Sequence, residues 1–179
     1  MDKKALRKHF IQCRQARSWS KEQAAIAEQL QLYFQTHRYS CVGLYWPIKG
    51  EIDPRATMQK MQAQGLVGLL ALPRLCDQEM QFFVWDSTTV MEQNAYGLTE
   101  PEAKREIEPD LLLVPCVALC HDGVRLGYGG GYFDRYLKQH PRVRTVGILV
   151  EAFLCKSLPM EVHDRQLDAW ITEKGLFER

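Results

Sequence analysis

A run of ten residues from Arg125 to Asp134, Arg-Leu-Gly-Tyr-Gly-Gly-Gly-Tyr-Phe-Asp, constrains this chain more than any other segment. It follows the apolar stretch 111–119, which is typical of a buried strand. It leads into 132–137, where the apolar residues have helical spacing. Glycines let the backbone approach a ligand closely, and the free N–H groups at a helix start suit a phosphate. The order of strand, glycine-rich loop and helix therefore predicts a phosphate-binding loop.

Two charged residues mark the ends of this run. Arg125 provides a planar cation that can bind two phosphate oxygens at once, and Asp134 is a hard oxygen ligand able to hold Mg²⁺ against phosphates. A tight turn is the alternative, but four glycines, at 127 and 129–131, carry a high entropic cost for a turn alone. The spacing fits neither the Walker pattern nor the dinucleotide-binding fingerprint. We therefore interpret the run as a phosphate loop of another kind.

Helical and extended segments alternate along the chain and predict a single α/β domain over residues 1–179. Its sheet should be mostly parallel, with helices on both faces. Ser20 and Gln23 suggest a capping box, and 86–110 is predicted to be a long ordered loop. Helices are predicted at 2–17, 20–37, 53–64 and 132–140, and strands at 39–46, 66–72, 79–85 (near an edge), 111–119, 143–150 and 169–171.

Composition narrows the class of protein. The net charge of +1 argues against a general affinity for nucleic acid, although residues 1–38 hold eight Lys and Arg against three Asp and Glu. The six cysteines form no Cys-x-x-Cys pair, and the sequence shows no secretory signal and no apolar run of membrane-spanning length. We expect a cytoplasmic monomer that binds neither nucleic acid nor membrane.

The stretch from Asp110 to Arg135 resembles the 5-formyltetrahydrofolate cyclo-ligase family, also called methenyltetrahydrofolate synthetases. The signature of that family has the form Arg-x-Gly-x-Gly-Gly-Gly-Tyr-Tyr-Asp, and this chain departs from it only at Phe133. The resemblance covers nearly the whole chain in the family's order. It includes Pro73-Arg74, the 96–101 segment Tyr-Gly-Leu-Thr-Glu-Pro, and His163-Asp164. A second departure is Phe153, where the family often has glutamine.

The resemblance assigns candidate roles to particular residues. Arg125 and Asp134 are the candidate catalytic residues, and Asp134 and Asp168 the candidate metal ligands. ATP contacts are implied for Lys3, Lys4, Arg7, Arg125, Leu126, Gly127, Tyr128, Gly129, Gly130, Gly131, Tyr132 and Phe133. Substrate contacts are implied for Trp46, Glu51, Tyr128, Gly129, Gly130, Gly131 and Tyr132.

The residues by themselves leave simpler interpretations open. Lys3 and Arg7 share one helix face, which is ordinarily surface charge. Glu51 could instead be a partner for a helix dipole, and Trp46 could be a core residue rather than a stacking platform. Trp46, Glu51, Arg74 and the glycine loop nevertheless all follow predicted strands, where the ligands of such sheets gather.

The implied activity is the ATP- and Mg²⁺-dependent cyclisation of 5-formyltetrahydrofolate to 5,10-methenyltetrahydrofolate, with release of ADP and phosphate. ATP would be the co-substrate and Mg²⁺ the cofactor. Two other classes remain open on the residues alone. One is a small-molecule phosphotransferase that uses the same loop, and the other is a non-catalytic binder whose basic amino-terminal arm docks RNA or a protein.

Overall fold

A computed structural model describes residues 2–161 and 164–179 of the chain. Its helices are α1 (Lys3–Gln15), α2 (Ser20–Thr36), α3 (Arg55–Ala63) and α4 (Tyr132–Gln139). Its strands are β1 (Cys41–Gly43), β2 (Leu69–Cys76), β3 (Glu79–Val84), β4 (Met91–Gln93), β5 (Thr99–Pro101), β6 (Leu111–Pro115), β7 (Ala118–Cys120), β8 (Arg125–Leu126), β9 (Arg144–Ile148), β10 (Leu154–Cys155), β11 (Ala169–Thr172) and β12 (Gly175–Glu178).

Seven strands of the described chain form the main sheet, in the order β12-β11-β9-β6-β1-β2-β3. The inner strands from β11 to β2 are mutually parallel, whereas β12 and β3 pair antiparallel at the two edges. The run Leu111–Val114 at the centre is completely inaccessible to solvent. Such a continuous apolar run is what a strand covered on both faces requires. The predicted α/β class and the edge position of the 79–85 strand are confirmed.

The crossovers place helices on both faces. The chain leaves β1 through α3 to reach β2 on one side, and leaves β6 through α4 to reach β9 on the other. Crossover connections between parallel strands are right-handed, and these two run toward opposite edges of the sheet. They therefore place α3 and α4 on opposite faces. On the α4 face the ring of Tyr136 packs edge-on against Phe82 of β3, with centroids 5.0 Å apart.

Three predictions of local structure were wrong. The predicted strand 111–119 breaks at Pro115, which has no N–H to continue the ladder, and the chain enters a second sheet of order β10-β7-β8. The predicted loop 86–110 contains the β4–β5 hairpin. The capping box is absent: Ser20 lies inside α2, and the Gln23 side chain instead bonds the backbone N and O of Asp53.

Candidate functional site

The site lies at the carboxyl ends of the parallel strands. β1 and β6 are neighbours whose connections run to opposite sides, and ligands of open α/β sheets bind in the crevice at such a point. Tyr45, Trp46 and Ile48 follow β1, and Pro115 ends β6; all four line a cleft there of about 250 Å³. The glycine loop forms the opposite wall.

Glycine is required at two loop positions by the backbone. Gly129 has a φ of +98° and Gly131 one of +69°, both in the left-handed region that other residues rarely adopt. Gly131 is the N-cap of α4, and a Cβ there would lie 2.6 Å from the Nη1 of Arg135. A side chain on Gly129 would come within 3.2 Å of the Arg7 guanidinium. The loop can therefore carry ligands close to its backbone.

The loop separates two pockets of different character. The first, which we call the apolar cleft, is walled largely by aromatic and aliphatic side chains. The second, the basic pocket, holds about 320 Å³ on the other side of the loop. The basic pocket is lined by Lys3, Arg7, Arg125, Leu126, Gly127, Gly129, Gly131, Asp134, Arg135, Lys138, Glu161 and Asp164.

Arg125 and Asp134 form an ion pair at the boundary between the pockets, and both residues line each of them. The Nη2 of Arg125 donates to Oδ1 of Asp134 over 2.7 Å. The arginine side chain is only 5% exposed, and its Nε has no partner. A buried N–H without an acceptor is costly, so a ligand oxygen at this point would remove a penalty. Sequence reasoning placed both residues in the site, and the structure brings them together.

Two cations reach the basic pocket from α1. The Nε of Arg7 donates to the carbonyl of Gly127 over 2.8 Å, which fixes the helix against the loop. The ammonium of Lys3 lies 2.6 Å from Asp164 and 3.1 Å from Glu161. Burial alone would lower the pKa of Lys3, but the hydrogen bonds to those carboxylates outweigh it and raise the pKa. Lys3 therefore enters any phosphate complex fully charged.

Glu51 lines the apolar cleft and has one buried oxygen without a partner. Its side chain is 3% exposed; Oε2 accepts from the Ile48 N–H over 2.9 Å, and Oε1 has no hydrogen-bond partner. Burial raises the pKa of this carboxyl, and the Ile48 N–H and Arg14 oppose that rise. Trp46 lies nearby with the Arg55 guanidinium 3.7 Å from its ring centre. The cleft thus combines an aromatic wall with one acceptor that needs a donor.

The β4–β5 hairpin covers the apolar cleft, contributing Asn94, Leu98, Thr99 and Glu100 to its lining. Arg74 anchors the hairpin by donating to Glu92 over 2.6 Å and to the carbonyl of Pro101 over 2.8 Å. Sequence analysis placed Arg74 near the site and predicted a loop over 86–110. Part of that predicted loop forms this hairpin and lines the cleft.

Arg14 is a residue that sequence reasoning missed. It lies in the last turn of α1, is 4% exposed, and donates to Tyr128 and to two backbone carbonyls around the cleft. A signal was available, because 3, 7 and 14 are spaced by four and by seven, which puts Lys3, Arg7 and Arg14 on one helix face. Nothing in the sequence distinguished Arg14 from Arg17, the other arginine near that helix end.

Several candidate residues lie apart from the site. Lys4 is exposed and lines neither pocket. Asp168 precedes β11, and its Oδ2 accepts from both the N–H and the hydroxyl of Thr145, each over 2.8 Å. Phe153 is buried and packs edge-on against Trp19, with ring centroids 5.3 Å apart. His163 falls outside the described residues.

Mg²⁺ prefers oxygen ligands, and carboxylates are the protein groups that supply them at this site. Within residues 2–161 and 164–179, no group of three or more His, Cys, Asp and Glu side chains could hold a metal by itself. Mg²⁺ in phosphoryl-transfer sites is usually bound by one or two carboxylates together with substrate phosphates. Asp134 and Asp164 line the basic pocket, so the residues present fit that mode of binding.

Comparisons with known proteins identify the family of this chain. The chain matches the model of the 5-formyltetrahydrofolate cyclo-ligase family over residues 1–173. It is 32% identical over 131 residues to the cyclo-ligase of Haemophilus influenzae, covering 69% of this chain and 70% of that protein. The cyclo-ligase of Mycoplasma pneumoniae is 27% identical over 179 residues, covering 97% and 100%.

Solved structures give the same relationship in three dimensions. The 5,10-methenyltetrahydrofolate synthetase of Aquifex aeolicus superimposes with a TM-score of 0.82 at 28% identity, covering 99% of this chain and 93% of that one. The synthetase of Mycoplasma pneumoniae gives 0.78 at 26% identity, covering 97% and 99%. With sequence, fold and glycine loop in agreement, the chain belongs to the 5-formyltetrahydrofolate cyclo-ligase family.

Proposed function

We propose that this protein converts 5-formyltetrahydrofolate to 5,10-methenyltetrahydrofolate at the expense of ATP, releasing ADP and phosphate. The observation that carries the proposal is the shared wall between the two pockets. An apolar cleft with a buried acceptor suits a pterin ring, and a basic pocket suits a triphosphate. The glycine loop and the Arg125–Asp134 pair line both pockets, so the two substrates can meet there.

The chemistry explains why such a site needs no protein nucleophile. A formamide oxygen is a poor leaving group, so ring closure requires its activation. Transfer of the γ-phosphoryl group of ATP to the formyl oxygen gives an imidate phosphate and ADP. N10 then attacks the formyl carbon and releases its proton to solvent or to the departing phosphate, the C–O bond breaks, and phosphate leaves with both electrons. Positioning and charge neutralisation are the main requirements of such a transfer.

On the ATP side, we assign phosphate binding to the cations of the basic pocket and to the loop backbone. Arg125 would bind the transferring group through its unpartnered Nε, while Lys3 and Arg7 would bind the other phosphates. Charge-assisted hydrogen bonds of this kind are roughly twice as strong as neutral ones. The exposed position of Lys4 supports at most a peripheral contact.

On the folate side, we assign recognition to Glu51, Trp46 and the loop tyrosines. The buried Oε1 of Glu51 would accept hydrogen bonds from the amino groups of the pterin, removing the cost of an unpaired buried acceptor. Trp46, Tyr128 and Tyr132 line the same cleft and supply flat surfaces against which aromatic rings pack.

Asp134 is the residue we assign to Mg²⁺. Its Oδ1 is held by Arg125, and the carboxylate lies where the two pockets meet. When bound, Mg²⁺ would neutralise phosphate charge during the transfer. A metal-binding role for Asp168 stays a prediction from the family resemblance, because its carboxylate accepts hydrogen bonds from Thr145 and lines neither pocket.

The cellular setting belongs to the proposal as well. We expect a cytoplasmic monomer whose ligands are the folate and ATP, with no nucleic-acid or membrane partner. No helix in the described residues has both the length and the apolar character to span a bilayer.

The test is an absorbance assay for methenyl-folate formation, run with and without ATP and with and without Mg²⁺. We expect product only when both are present, with one ADP released for each methenyl group formed. ATP hydrolysis that proceeds at the same rate without reduced folate, or phosphorylation of an ordinary hydroxyl substrate, would instead indicate a phosphotransferase.

A further inference from the structure

Arg14 binds several segments that surround the apolar cleft. Its Nε donates to the carbonyl of Lys49 over 3.0 Å, and its Nη1 donates to the carbonyl of Cys116 over 3.1 Å. Its Nη2 donates to the hydroxyl of Tyr128. One guanidinium therefore joins α1 to the loop after β1, to the segment after β6 and to the glycine loop.

The same guanidinium provides charge for Glu51. The Nη2 of Arg14 lies 3.9 Å from Oε1 of Glu51, too far for a hydrogen bond but close enough for strong attraction between two side chains that are 5% and 3% exposed. The oxygen on that side is the one without a partner. Arg14 thus attracts the acceptor without occupying it, which leaves Oε1 free for a ligand.

Other groups around Glu51 do not replace this charge. The exposed Lys49 is the other cation acting on the carboxylate. Tyr45, Cys116 and Tyr128 also face it, and burial raises the pKa of each of them, so they are neutral near pH 7. The Tyr128 hydroxyl, which Arg14 holds, helps to lower the pKa of Glu51 but adds no charge. Among these neighbours, Arg14 is the buried cation.

We propose that Arg14 is a positioning residue for folate recognition, holding Glu51 ionised and Tyr128 in place at the wall between the two pockets. This inference rests on the proposed function, in which an amino group of the pterin donates a hydrogen bond to Glu51. It goes beyond the roles implied for Lys3 and Arg7, which act on phosphate from the same helix.

Two substitutions separate the parts of this role. Arg14→Gln removes the charge but keeps a polar donor, and Arg14→Lys keeps the charge but cannot make the same planar set of bonds. We expect Arg14→Gln to weaken binding of 5-formyltetrahydrofolate about tenfold, measured by titration calorimetry without ATP. Arg17→Gln is the matched control, because that side chain is 59% exposed and lies close by in sequence; its folate affinity should not change.

The pH profile of folate binding provides a readout that a merely structural role would not move. Binding needs the carboxylate form of Glu51, which is lost as pH falls through its pKa. Without the Arg14 charge that pKa rises further, so in Arg14→Gln the loss on acidification should begin at higher pH than in the wild type. Arg14→Lys should keep the profile of the wild type, and thermal unfolding identifies any variant that fails to fold.

A double-mutant cycle decides whether Arg14 acts through Glu51. In a Glu51→Gln background, Arg14→Gln should change folate affinity by less than about threefold, because their effects are coupled. Full additivity, or an Arg14→Gln protein that binds folate like the wild type, would overturn the inference. A wild type that binds folate but forms no methenyl product would overturn the proposed function instead.

Discussion

The two pockets on either side of the glycine loop are built in different ways. Much of the wall of the apolar cleft comes from segments at the ends of buried strands, and one of its polar groups, Glu51, is buried with one oxygen unsatisfied. The basic pocket is built from α1, α4, the glycine loop and residues 161 and 164, and two of its cations already have carboxylate partners: Lys3 pairs with Glu161 and Asp164, and Arg125 with Asp134.

Because of this difference, the two substrates should gain their binding free energy in different ways. A pterin entering the cleft would satisfy an acceptor that lacks a donor, so recognition there gains from a penalty already present in the free protein. A triphosphate entering the basic pocket must compete with carboxylates for the same cations. Recognition there depends on exchanging ion pairs, and Mg²⁺ would compensate for the carboxylates that remain beside phosphate.

The largest effect on activity should come from Asp134→Asn, which tests the basic pocket and its ion pairs. A carboxylate beside phosphate without a cation would be repelled, so we expect Asp134 and Mg²⁺ to act together. The variant should lose about 100-fold in kcat and need much more Mg²⁺ for the remaining activity, as measured by methenyl-folate absorbance across a Mg²⁺ titration. Asp122→Asn, in an exposed turn, is the control. A normal Mg²⁺ response would show that Asp134 does not bind the metal and only pairs with Arg125.

Arg125→Ala should have the next largest effect and should separate the two sides. Loss of its charge-assisted bonds should raise the KM for ATP about 10- to 100-fold, while the KM for folate changes by less than about threefold. Steady-state kinetics with each substrate varied in turn give both values. The exposed Arg142→Ala is a suitable control. Equal increases in both constants would show that Arg125 supports the wall between the pockets rather than phosphate alone.

Glu51→Gln should weaken folate binding rather than ATP binding. We expect the KM for folate to rise about tenfold with that for ATP unchanged, because a charged acceptor is replaced by a neutral one of similar shape. Glu28→Gln, exposed on α2, is the control. A lower ATP affinity with unchanged folate affinity would contradict the assignment.

The same substitution should not destabilise the fold, although it weakens activity. Burial raises the pKa of Glu51 in the folded protein above its ordinary value, so its favourable contribution is present at low pH and is lost as pH rises through the folded pKa. At any pH above that folded pKa the ionised carboxylate therefore costs stability. Glu51→Gln should not lower the free energy of unfolding at pH 7, as measured by urea denaturation, and a clear decrease would argue that Glu51 is structural.

How much the sequence could predict follows from how local each signal is. The central strand beginning at Leu111 and the loop ending at Asp134 were predictable because hydrophobic runs and glycine clusters act over neighbouring residues. The second sheet was not predictable, since β8 and β10 are two residues each and exist only through pairing with β7. Arg14 escaped for the same reason: its acceptors lie 35, 102 and 114 residues away.

The smallest effect on activity should come from Asp168→Asn, which tests whether the metal site extends beyond the two pockets. The Asp168 carboxylate lies at the amino end of β11, bonded to Thr145 of β9, whereas the pockets lie toward the carboxyl ends of the strands. The substitution should cost about 1–2 kcal/mol of unfolding free energy through those bonds. The Mg²⁺ titration of activity should match that of the wild type. If the titration instead shifts as it does in Asp134→Asn, Asp168 binds the metal in the working enzyme, and β9 and β11 must rearrange to deliver it.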